Sequence, residues 1–289
     1  MGRRAKGVIV NKHFELSGSQ VSASTDSGRL FAATGSNGLP AGGPANWFRA
    51  YALMLRFDFA TQRAWLPLAL ALQIFMGAGM AVIYGFYVPH LSSRALLYLV
   101  TGAPTLAFIP IGMAMLPTIV SQQKASGTFD FLLSLPIPRT IAAASTVTVF
   151  TAVAVPGASV TLLLAAWRYG VQLSVSPSVV PAVLLTSIMT ASVGLGLAHG
   201  IRNPLVTNLI TNILIFVVLL FTPIAFPRSQ FPAWLADVHE ALPFYHMGVV
   251  IRAGLTNGLV NNVGTSYVVL AAWTLAGWTV TAWIVGRRG

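Results

Sequence analysis

The sequence predicts an all-α membrane protein with six membrane-spanning helices, and two features of its composition carry this prediction. Of the 289 residues, 55% are hydrophobic and only 8% are charged, whereas an ordinary soluble domain has about 25% charged residues. The mean hydropathy is +0.75. Such a chain has too few polar residues to cover an apolar core with a water-facing surface, so the membrane class fits best.

Six apolar stretches lack Asp, Glu, Lys and Arg. Each is long enough, at about 1.5 Å per helical residue, to cross a hydrocarbon core of about 30 Å. Pro104, Pro110 and Pro156 fall inside these stretches, where a missing N–H and a ring clash predict helix kinks. The predicted spans are residues 64–88, 95–120, 140–167, 178–199, 205–226 and 266–285.

Residues 1–45 are predicted to form a flexible tail. They contain no apolar run of the kind found in a signal peptide, and they are rich in Gly, Ser, Ala, Asn and Thr. This composition cannot bury a hydrophobic core. We therefore expect the tail to be dispensable for membrane insertion.

Residues 46–63 predict a helix that lies at the membrane surface, with Asn46 suited to cap its first turn. Three arginines recur every seven residues and so share one helical face, while aromatic residues lie on another. Arginines can reach lipid phosphates, and aromatic rings suit the headgroup boundary. An ordinary amphipathic helix packed on protein remains the alternative. The residues that define this interfacial helix are Trp47, Arg49, Tyr51, Arg56 and Arg63.

The distribution of basic residues predicts that both termini are cytoplasmic. With the N-terminus inside, 13 of the 17 Lys and Arg residues lie on the cytoplasmic side, and positive residues near span ends resist translocation. The net charge of +11 is explained by this rule and by attraction to anionic lipids, so no nucleic-acid partner is needed. The four basic residues on the outer side are Arg94, Arg168, Arg228 and Arg252.

The sequence contains none of the motifs that would give this chain catalytic or ion-coupled activity of its own. The predicted spans hold no acidic residue for a proton relay, and no G-x-x-x-x-G-K-[ST] loop is present to bind ATP. Zinc-protease and serine-hydrolase motifs are absent, and there is no cysteine. The five histidines are interpreted as solvated or interfacial residues, and Gly194 and Gly196 as a site of close helix packing.

The segment between the second and third spans, residues 122–139, is the most informative polar part of the sequence. Thr128 is suited to cap a short helix, Asp130 favours its N-terminal end, and Pro136 and Pro138 end it. A plain interfacial loop helix remains one interpretation, but a rigid helix of this kind is also suited to docking a partner. Its apolar side chains are spaced to form a ridge of Phe129, Leu132 and Leu133.

Residues 127–139 (GTFDFLLSLPIPR) resemble the G-T-(L/F)-(E/D)-x-L-L-x-x-P-(I/V)-x-R signature of the membrane subunits of ABC-2 type exporters. The segment between the fifth and sixth spans is similar to the proline-rich outer segment of this family. One departure lies at residues 122–126 (QQKAS), where family members usually carry acidic residues, so partner contacts there are expected to differ in charge. The matching residues of the outer segment are Pro223, Pro227, Pro232, Trp234, Pro243 and Arg252.

The resemblance covers about residues 46–289 and implies one transmembrane domain over that range. It implies that the helix after the second span is a cytoplasmic coupling helix that contacts an ATPase subunit. The prolines and Trp234 of the outer segment predict short re-entrant pieces outside the membrane core. The residues implied at the ATPase interface are Lys124, Gly127, Thr128, Phe129, Asp130, Leu132, Leu133, Pro136 and Arg139.

The function implied is that of an exporter permease subunit in the cell membrane, which moves an amphipathic, drug-like or lipid-linked compound outward. Such a subunit pairs with a second permease subunit, identical or different, and with ATPase subunits that bind ATP and Mg²⁺. The chain itself is expected to bind no cofactor or metal and to be no enzyme. An ATP-independent channel or secondary transporter is the alternative, which the charge-free spans disfavour. A membrane enzyme or assembly factor is a third, weaker hypothesis.

Overall fold

The computed structural model of the protein describes residues 44–87, 92–134 and 137–287. Regular secondary structure in these ranges is entirely helical. Residues 1–43, which make up most of the predicted tail, lie outside them. The helices of at least seven residues are α1 (Pro44–Gln62), α2 (Leu66–Tyr87), α3 (Ser93–Leu106), α4 (Leu116–Ala125), α5 (Thr128–Ser134), α6 (Arg139–Tyr169), α7 (Val179–Gly200), α8 (Pro204–Phe221), α9 (Ala233–Ala241), α10 (Pro243–Leu255) and α11 (Val263–Gly286).

Six helical segments of the described chain are long and apolar enough to cross a membrane, which confirms the predicted fold class. We number them as spans one to six. Span two is a composite of α3, α4 and the turns between them, and the other spans are formed by α2, α6, α7, α8 and α11. The segments are Leu66–Ile83, Ser93–Ala125, Thr140–Tyr169, Val179–Gly200, Pro204–Phe221 and Val263–Gly286.

The predicted end of the fifth span, at residue 226, was wrong by five residues, because α8 ends at Phe221. Thr222 has an extended backbone (φ −92°, ψ 132°) and precedes Pro223. Steric clash with a following proline ring disfavours helical geometry at the preceding residue. Residues 222–226 are also largely apolar. Hydropathy alone therefore predicts an end for the fifth span that lies too far along the chain.

Span two lies at the centre of the bundle, since 89% of the residues in its apolar 18-residue stretch are buried. For span five the corresponding share is 17%. The α-helical geometry of span two is interrupted by a turn at Ala107 and by a π-helical turn at Ile111–Met115, with a short α-helical piece, Phe108–Pro110, between them. The π-helical turn follows directly after Pro110, one of the three prolines at which a kink is predicted. Helices α3 and α6 continue through Pro104 and Pro156 without interruption.

Glycines bring span four into backbone contact with spans two and six. A Cβ atom at Gly277 of span six would lie 2.5 Å from the carbonyl oxygen of Ser192 in span four. On the other side, a Cβ atom at Gly112 would lie 2.6 Å from the side chain of Thr190, and Gly194 faces the Gly112 carbonyl. Helices in lipid associate through such close packing. The packing role predicted for Gly194 is thereby confirmed.

The connection between spans five and six packs a buried helix against the bundle. Helix α10 is buried along most of its length and contacts α3, α7 and α11. Gly254 lies so close to Val179 that an added Cβ atom would be 2.6 Å from the Val179 Cα. The loop after span three joins this packing, because the N–H of Ser176 donates to the Gly254 carbonyl at 2.8 Å.

Arg252 ties α10 to span two and to the end of span five. Arg252 is 1% exposed. Its Nε donates a hydrogen bond to Thr101 Oγ1 at 3.0 Å, and its Nη2 donates one to the Ile224 carbonyl at 2.5 Å. The guanidinium carbon lies 3.9 Å from the centre of the Tyr98 ring. Within the described ranges no carboxylate pairs with this charge. The guanidinium is therefore stabilised by neutral acceptors and an aromatic face.

Three histidines are buried, so their interpretation as solvated or interfacial residues was wrong. His199, His239 and His246 are 4%, 4% and 5% exposed. His246 uses both ring nitrogens, with Nδ1 at 2.9 Å from Ser266 Oγ and Nε2 at 2.9 Å from the Glu240 carbonyl. The apolar neighbours that bury these rings come from distant parts of the chain. The other two histidines, His13 and His90, lie outside the described residues.

Replacing Arg252 with Met will lower the thermal stability of the chain. The apolar side chain keeps the bulk but leaves the Ile224 carbonyl without its charged donor, which costs about 2–4 kcal/mol. Melting of the purified, detergent-solubilised chain, followed by size-exclusion chromatography, measures the loss. Arg202→Met is the matched control, because Arg202 is exposed. Equal melting temperatures for the two variants would show that Arg252 does not hold this segment.

Candidate functional site

The candidate site lies where α1 and α5 meet the ends of spans two, four and six and the start of span three. Because the chain crosses the bundle six times, the connections after spans two and four share this end with both termini of the spanning region. We call it the α5 end. It contains the segment that the sequence predicts as a partner-docking helix.

A glycine turn connects span two to α5. Gly127 has φ +76°, a left-handed conformation that side chains with a Cβ rarely adopt. The Gly127 carbonyl accepts the N–H of Phe131 at 3.1 Å, which closes the first turn of α5. Thr128 is the first helical residue, and its hydroxyl lies 3.0 Å from Ser126 Oγ. The glycine predicted before the helix is present, but Thr128 is its first residue rather than its cap.

Helix α5 is fastened to the end of span four. Lys124, in the last turn of span two, donates a hydrogen bond from Nζ to the Ala198 carbonyl. The centroids of the Phe129 and His199 rings lie 5.3 Å apart. Lys124 Nζ lies 5.8 Å from the centroid of the Phe129 ring. Phe129 thus places α5 in contact with the ends of spans two and four.

The prediction that Leu132 belongs to an exposed ridge was wrong. Leu132 is 9% exposed and packs in an apolar cluster with Ala50, Met54 and Ile141, which come from α1 and α6. Leu132 is therefore covered by this chain's own helices. Burial of a leucine side chain contributes about 1.5–3 kcal/mol, so this face holds α5 in place.

The exposed face of α5 carries Phe131, an aromatic residue that is not part of the predicted ridge. Phe131 is 58% exposed, and Asp130 and Ser134 are exposed beside it. Phe131 was overlooked because it does not share the spacing of the leucine face. Of the other residues predicted at this interface, Pro136 and the side chains of Leu133 and Arg139 lie outside the described residues.

Helix α1 packs on span three with one face and leaves its aromatic face exposed. Ala50, Met54, Asp58 and Gln62, spaced four residues apart, are at most 5% exposed. The alternative of a helix packed on protein is therefore confirmed for this face, whereas a position of the other face at the membrane surface stays a prediction. The predicted cap was wrong: α1 begins at Pro44, a residue that fits a first helical turn, so Asn46 lies inside that turn.

Four of the five residues predicted for the interfacial helix are exposed, and Tyr51 is half-buried. Arg49, Arg56 and Arg63 are exposed, with Arg63 just beyond the helix end. Trp47 stacks on Tyr51 with ring centroids 5.4 Å apart, and the Tyr51 hydroxyl lies 2.6 Å from Thr148 Oγ1 of span three. The arginines are thus available to headgroups, while the aromatic pair connects the helix to the bundle.

Asp58 is a buried acid that the sequence reasoning missed, because acidic residues were sought only within the spans. It is 2% exposed and accepts hydrogen bonds from Ser145 Oγ at 2.6 Å and Thr146 Oγ1 at 3.1 Å. Burial raises the pKa of the Asp58 carboxyl above its ordinary value, and the two hydroxyl groups oppose part of that rise. These bonds fix the register of α1 on span three.

The residues predicted in the proline-rich segment between spans five and six do not form one cluster. Pro232 precedes α9 and Pro243 begins α10, positions where a missing N–H is not needed. Pro223 is buried, Pro227 is half-buried and precedes a short 3₁₀ turn, and Trp234 is 68% exposed. The segment presents one large aromatic surface residue above a buried helix.

The described residues contain no candidate metal site and one cluster of ion pairs. No group of three or more His, Asp or Glu side chains in these ranges could hold a metal ion. Near α9, Arg228 pairs with Asp237 at 3.0 Å and with Glu240, and these groups are exposed enough to contribute little stability.

Replacing Gly127 with Val will loosen the turn into α5, whereas Gly127→Asn will leave it nearly unchanged. A β-branched residue at φ +76° is strained by about 1–3 kcal/mol, while Asn tolerates this region. Trypsin cleavage after Lys124 in the purified chain measures local opening, and we expect an increase of about tenfold for Val. Identical cleavage rates for the three proteins would contradict this role of glycine.

Comparison with known proteins identifies the family to which these features belong. The model of the family described as ABC-2 type transporter matches residues 50–256, which include most of α1, spans one to five, α5 and α10. A comparison with curated proteins gave no match. The family match covers well over half of the chain and agrees with the resemblance of residues 127–139. The chain belongs to the ABC-2 type transporter family and is a multi-pass membrane permease component of an ABC transporter.

Proposed function

We propose that this chain is the permease subunit of an ABC exporter, in which α5 couples ATP hydrolysis by a separate subunit to movement of the spans. The observation that carries the proposal is the construction of α5. It is held from within by Leu132 and Phe129 and presents Phe131 outward. A short helix that is rigidly joined to the spans can transmit a push from a partner to them.

ATP and Mg²⁺ belong to the partner in this proposal. The family is a membrane permease family that works with an ABC ATPase, and this sequence contains no phosphate-binding loop of its own. An exposed aromatic side chain among polar neighbours is suited to anchor a contact between proteins. Phe131, with Asp130 and Ser134 beside it, is the anchor that we propose for the ATPase subunit.

Span five supports pairing with a second permease subunit, identical or different. Its face carries two exposed asparagines: Asn208 accepts a hydrogen bond from Thr118 Oγ1 at 2.7 Å, and Asn212 donates to the Asn208 carbonyl at 2.8 Å. Each amide keeps further hydrogen-bonding capacity, which is costly against hydrocarbon. We propose that this face contacts the second subunit, where amides can pair across helices.

The proposed substrate is an amphipathic, drug-like or lipid-linked compound that moves outward through the cell membrane. The candidate spans carry charged residues only near their ends, such as Arg94 and Lys124 in span two, and an apolar path suits cargo with a large apolar part. The direction of transport rests on the family resemblance. A polar lining supplied by a different second subunit would shift this preference.

The proposed orientation places the α5 end and both termini in the cytoplasm. The support is the excess of basic residues on this side, 13 of 17 in the sequence. Arg49 and Arg56 are exposed on α1 beside the same end, where anionic headgroups of the inner leaflet would attract them. The segment with Trp234 then lies on the outer side.

Replacing Phe131 with Asp will prevent association with the ATPase subunit without preventing membrane insertion. The change places a charge in a contact that excludes water, at a cost of about 2 kcal/mol or more, and we expect recovery of the partner to fall at least tenfold. The measurement is a pull-down of the tagged full-length chain from its own cells, with ABC ATPases quantified by mass spectrometry at matched membrane levels.

Two control variants separate contact from folding. Phe131→Leu keeps an apolar surface and should retain most of the partner. Leu132→Asp disturbs a buried position and should reduce the amount of folded chain itself. Full recovery of the ATPase with Phe131→Asp would rule out this face of α5 as its contact.

Single-cysteine variants will report opposite sides of the membrane for the two ends of the bundle. The chain has no cysteine, so Ser134→Cys and Asn257→Cys each introduce one reactive site at an exposed position. In intact cells a membrane-impermeant maleimide should label the Asn257 variant and reach the Ser134 variant only after permeabilisation. Labelling of the Ser134 variant in intact cells would reverse the proposed topology.

A further inference from the structure

Asp58 is the one buried acidic residue in the part of the chain that the structure describes. It is 2% exposed, and both of its hydrogen bonds reach the same carboxyl oxygen, Oδ2. Gln62, one helical turn further along α1, is also buried, but its amide makes no hydrogen bond to this carboxyl group. A carboxylate in such a position loses hydration that two hydroxyl groups replace only in part. The other acidic residues described, which are exposed, are Asp130, Asp237 and Glu240.

No cation among the described side chains compensates a negative charge on Asp58, because the ion pairs in these ranges all lie near α9. Asp58 packs on α6, which begins at Arg139, a residue whose side chain lies outside the described part, and residues 140–155 contain no titratable side chain. Arg56 and Arg63 are exposed. The other charged or titratable side chains described at this end, none of which is bonded to Asp58, are Tyr51, Lys124, Asp130, His199, Arg202 and Arg287. A buried acid in such surroundings is more stable with a proton than with a charge.

The contact of Asp58 with span three provides hydrogen bonds for either protonation state. Ser145 Oγ lies 2.6 Å from Asp58 Oδ2 and 3.0 Å from the Ala142 carbonyl. When the carboxyl is ionised, the single hydroxyl hydrogen of Ser145 is donated to Oδ2. When it is protonated, its O–H donates to Ser145 Oγ, and the Ser145 hydroxyl donates to the Ala142 carbonyl instead. The uptake of a proton therefore moves only hydrogen atoms and leaves both O–H groups bonded.

We propose that Asp58 is a proton-binding site that fastens α1 to span three. The carboxyl carries a proton while α1 is packed on α6, and it releases the proton when α1 separates and water reaches the side chain. Ala50 and Met54, on the same face of α1, belong to the apolar cluster that covers Leu132 of α5. The proton is thus bound at the contact that holds α1 beside α5. This site does not depend on the proposal that α5 contacts an ATPase subunit.

The direction of the pH dependence follows from burial. Burial raises the pKa of the Asp58 carboxyl, and the hydrogen bonds from Ser145 and Thr146 oppose part of that rise. An acid whose pKa is raised in the packed state stabilises that state while it is protonated. Packing of α1 is therefore strongest below the ordinary Asp pKa of about 3.9 and weakens as the pH rises through the raised pKa. Between these two values the packing equilibrium constant falls by up to about tenfold per pH unit, the limit for one proton.

Infrared spectroscopy of the full-length chain in lipid nanodiscs reads the protonation state, because a protonated carboxyl has its own C=O band and the chain has only six Asp and Glu residues. During a pH titration we expect one such band to persist where the exposed carboxyls have ionised. Asp58→Asn should remove this band, and Asp130→Asn, at an exposed acid, should keep it. Ser145→Ala assigns the band independently, since loss of the acceptor should move it to higher wavenumber. A band of Asp58 that titrates together with the exposed carboxyls would overturn the proposal.

Ala50→Cys reports the packing of α1, because Ala50 is 5% exposed on the face that carries Asp58 and the chain has no cysteine. Its rate of labelling by a maleimide is divided by that of the exposed Ser134→Cys at the same pH, which removes the pH dependence of the thiol itself. This ratio should rise with pH by up to about tenfold per unit. Asp58→Asn, uncharged at every pH, should abolish the rise, whereas Asp130→Asn should retain it. A ratio that does not change with pH, or a rise that persists in Asp58→Asn, would show that no proton at Asp58 fastens α1.

Discussion

A hydrocarbon interior offers no hydrogen bonds to a polypeptide, and this constraint governs where the helices of this chain can break. Span five ends at Phe221, Thr222 is extended, and the backbone then turns at residues 223–226. The Ile224 carbonyl in that stretch is satisfied by Arg252, which also reaches Thr101 of span two. One buried guanidinium thus supplies hydrogen bonds to backbone that would otherwise lack them, and it fixes α10 among the spans in doing so.

The two ends of the bundle hold their connecting segments by different means. Next to Arg252 the connection depends on charge-assisted hydrogen bonds in a buried setting, which are strong and directional. At the α5 end the short helix is held by apolar packing of Leu132, with Lys124 and Phe129 adding contacts to the end of span four. Packing contacts of this kind come from several helices at once, so α5 contacts spans two, three and four.

Span four contacts spans two and six through glycines and meets α5 at its last turn. Glycine contacts place it against spans two and six with little room for adjustment, and its last turn carries Ala198 and His199 beneath α5. Interfaces packed at this density move as units rather than deform continuously. A displacement applied to α5 would therefore reach the packed centre of the bundle, which is the requirement for coupling ATP hydrolysis in a partner to transport.

The sequence by itself determined the class, the number of spans, the position of α5 and the glycine at its start, because these follow from hydropathy, length and local backbone preference. It did not determine which face of α5 is exposed: Leu132 and Phe131 are both apolar, and only the arrival of Ala50, Met54 and Ile141 decided that the leucine is covered. The buried states of Asp58, His246 and Arg252 were hidden for the same reason. Each depends on partners far away in the chain, such as Ser145 for Asp58 and Ile224 for Arg252, and burial of a polar group is a property of the neighbours that tertiary structure brings to it.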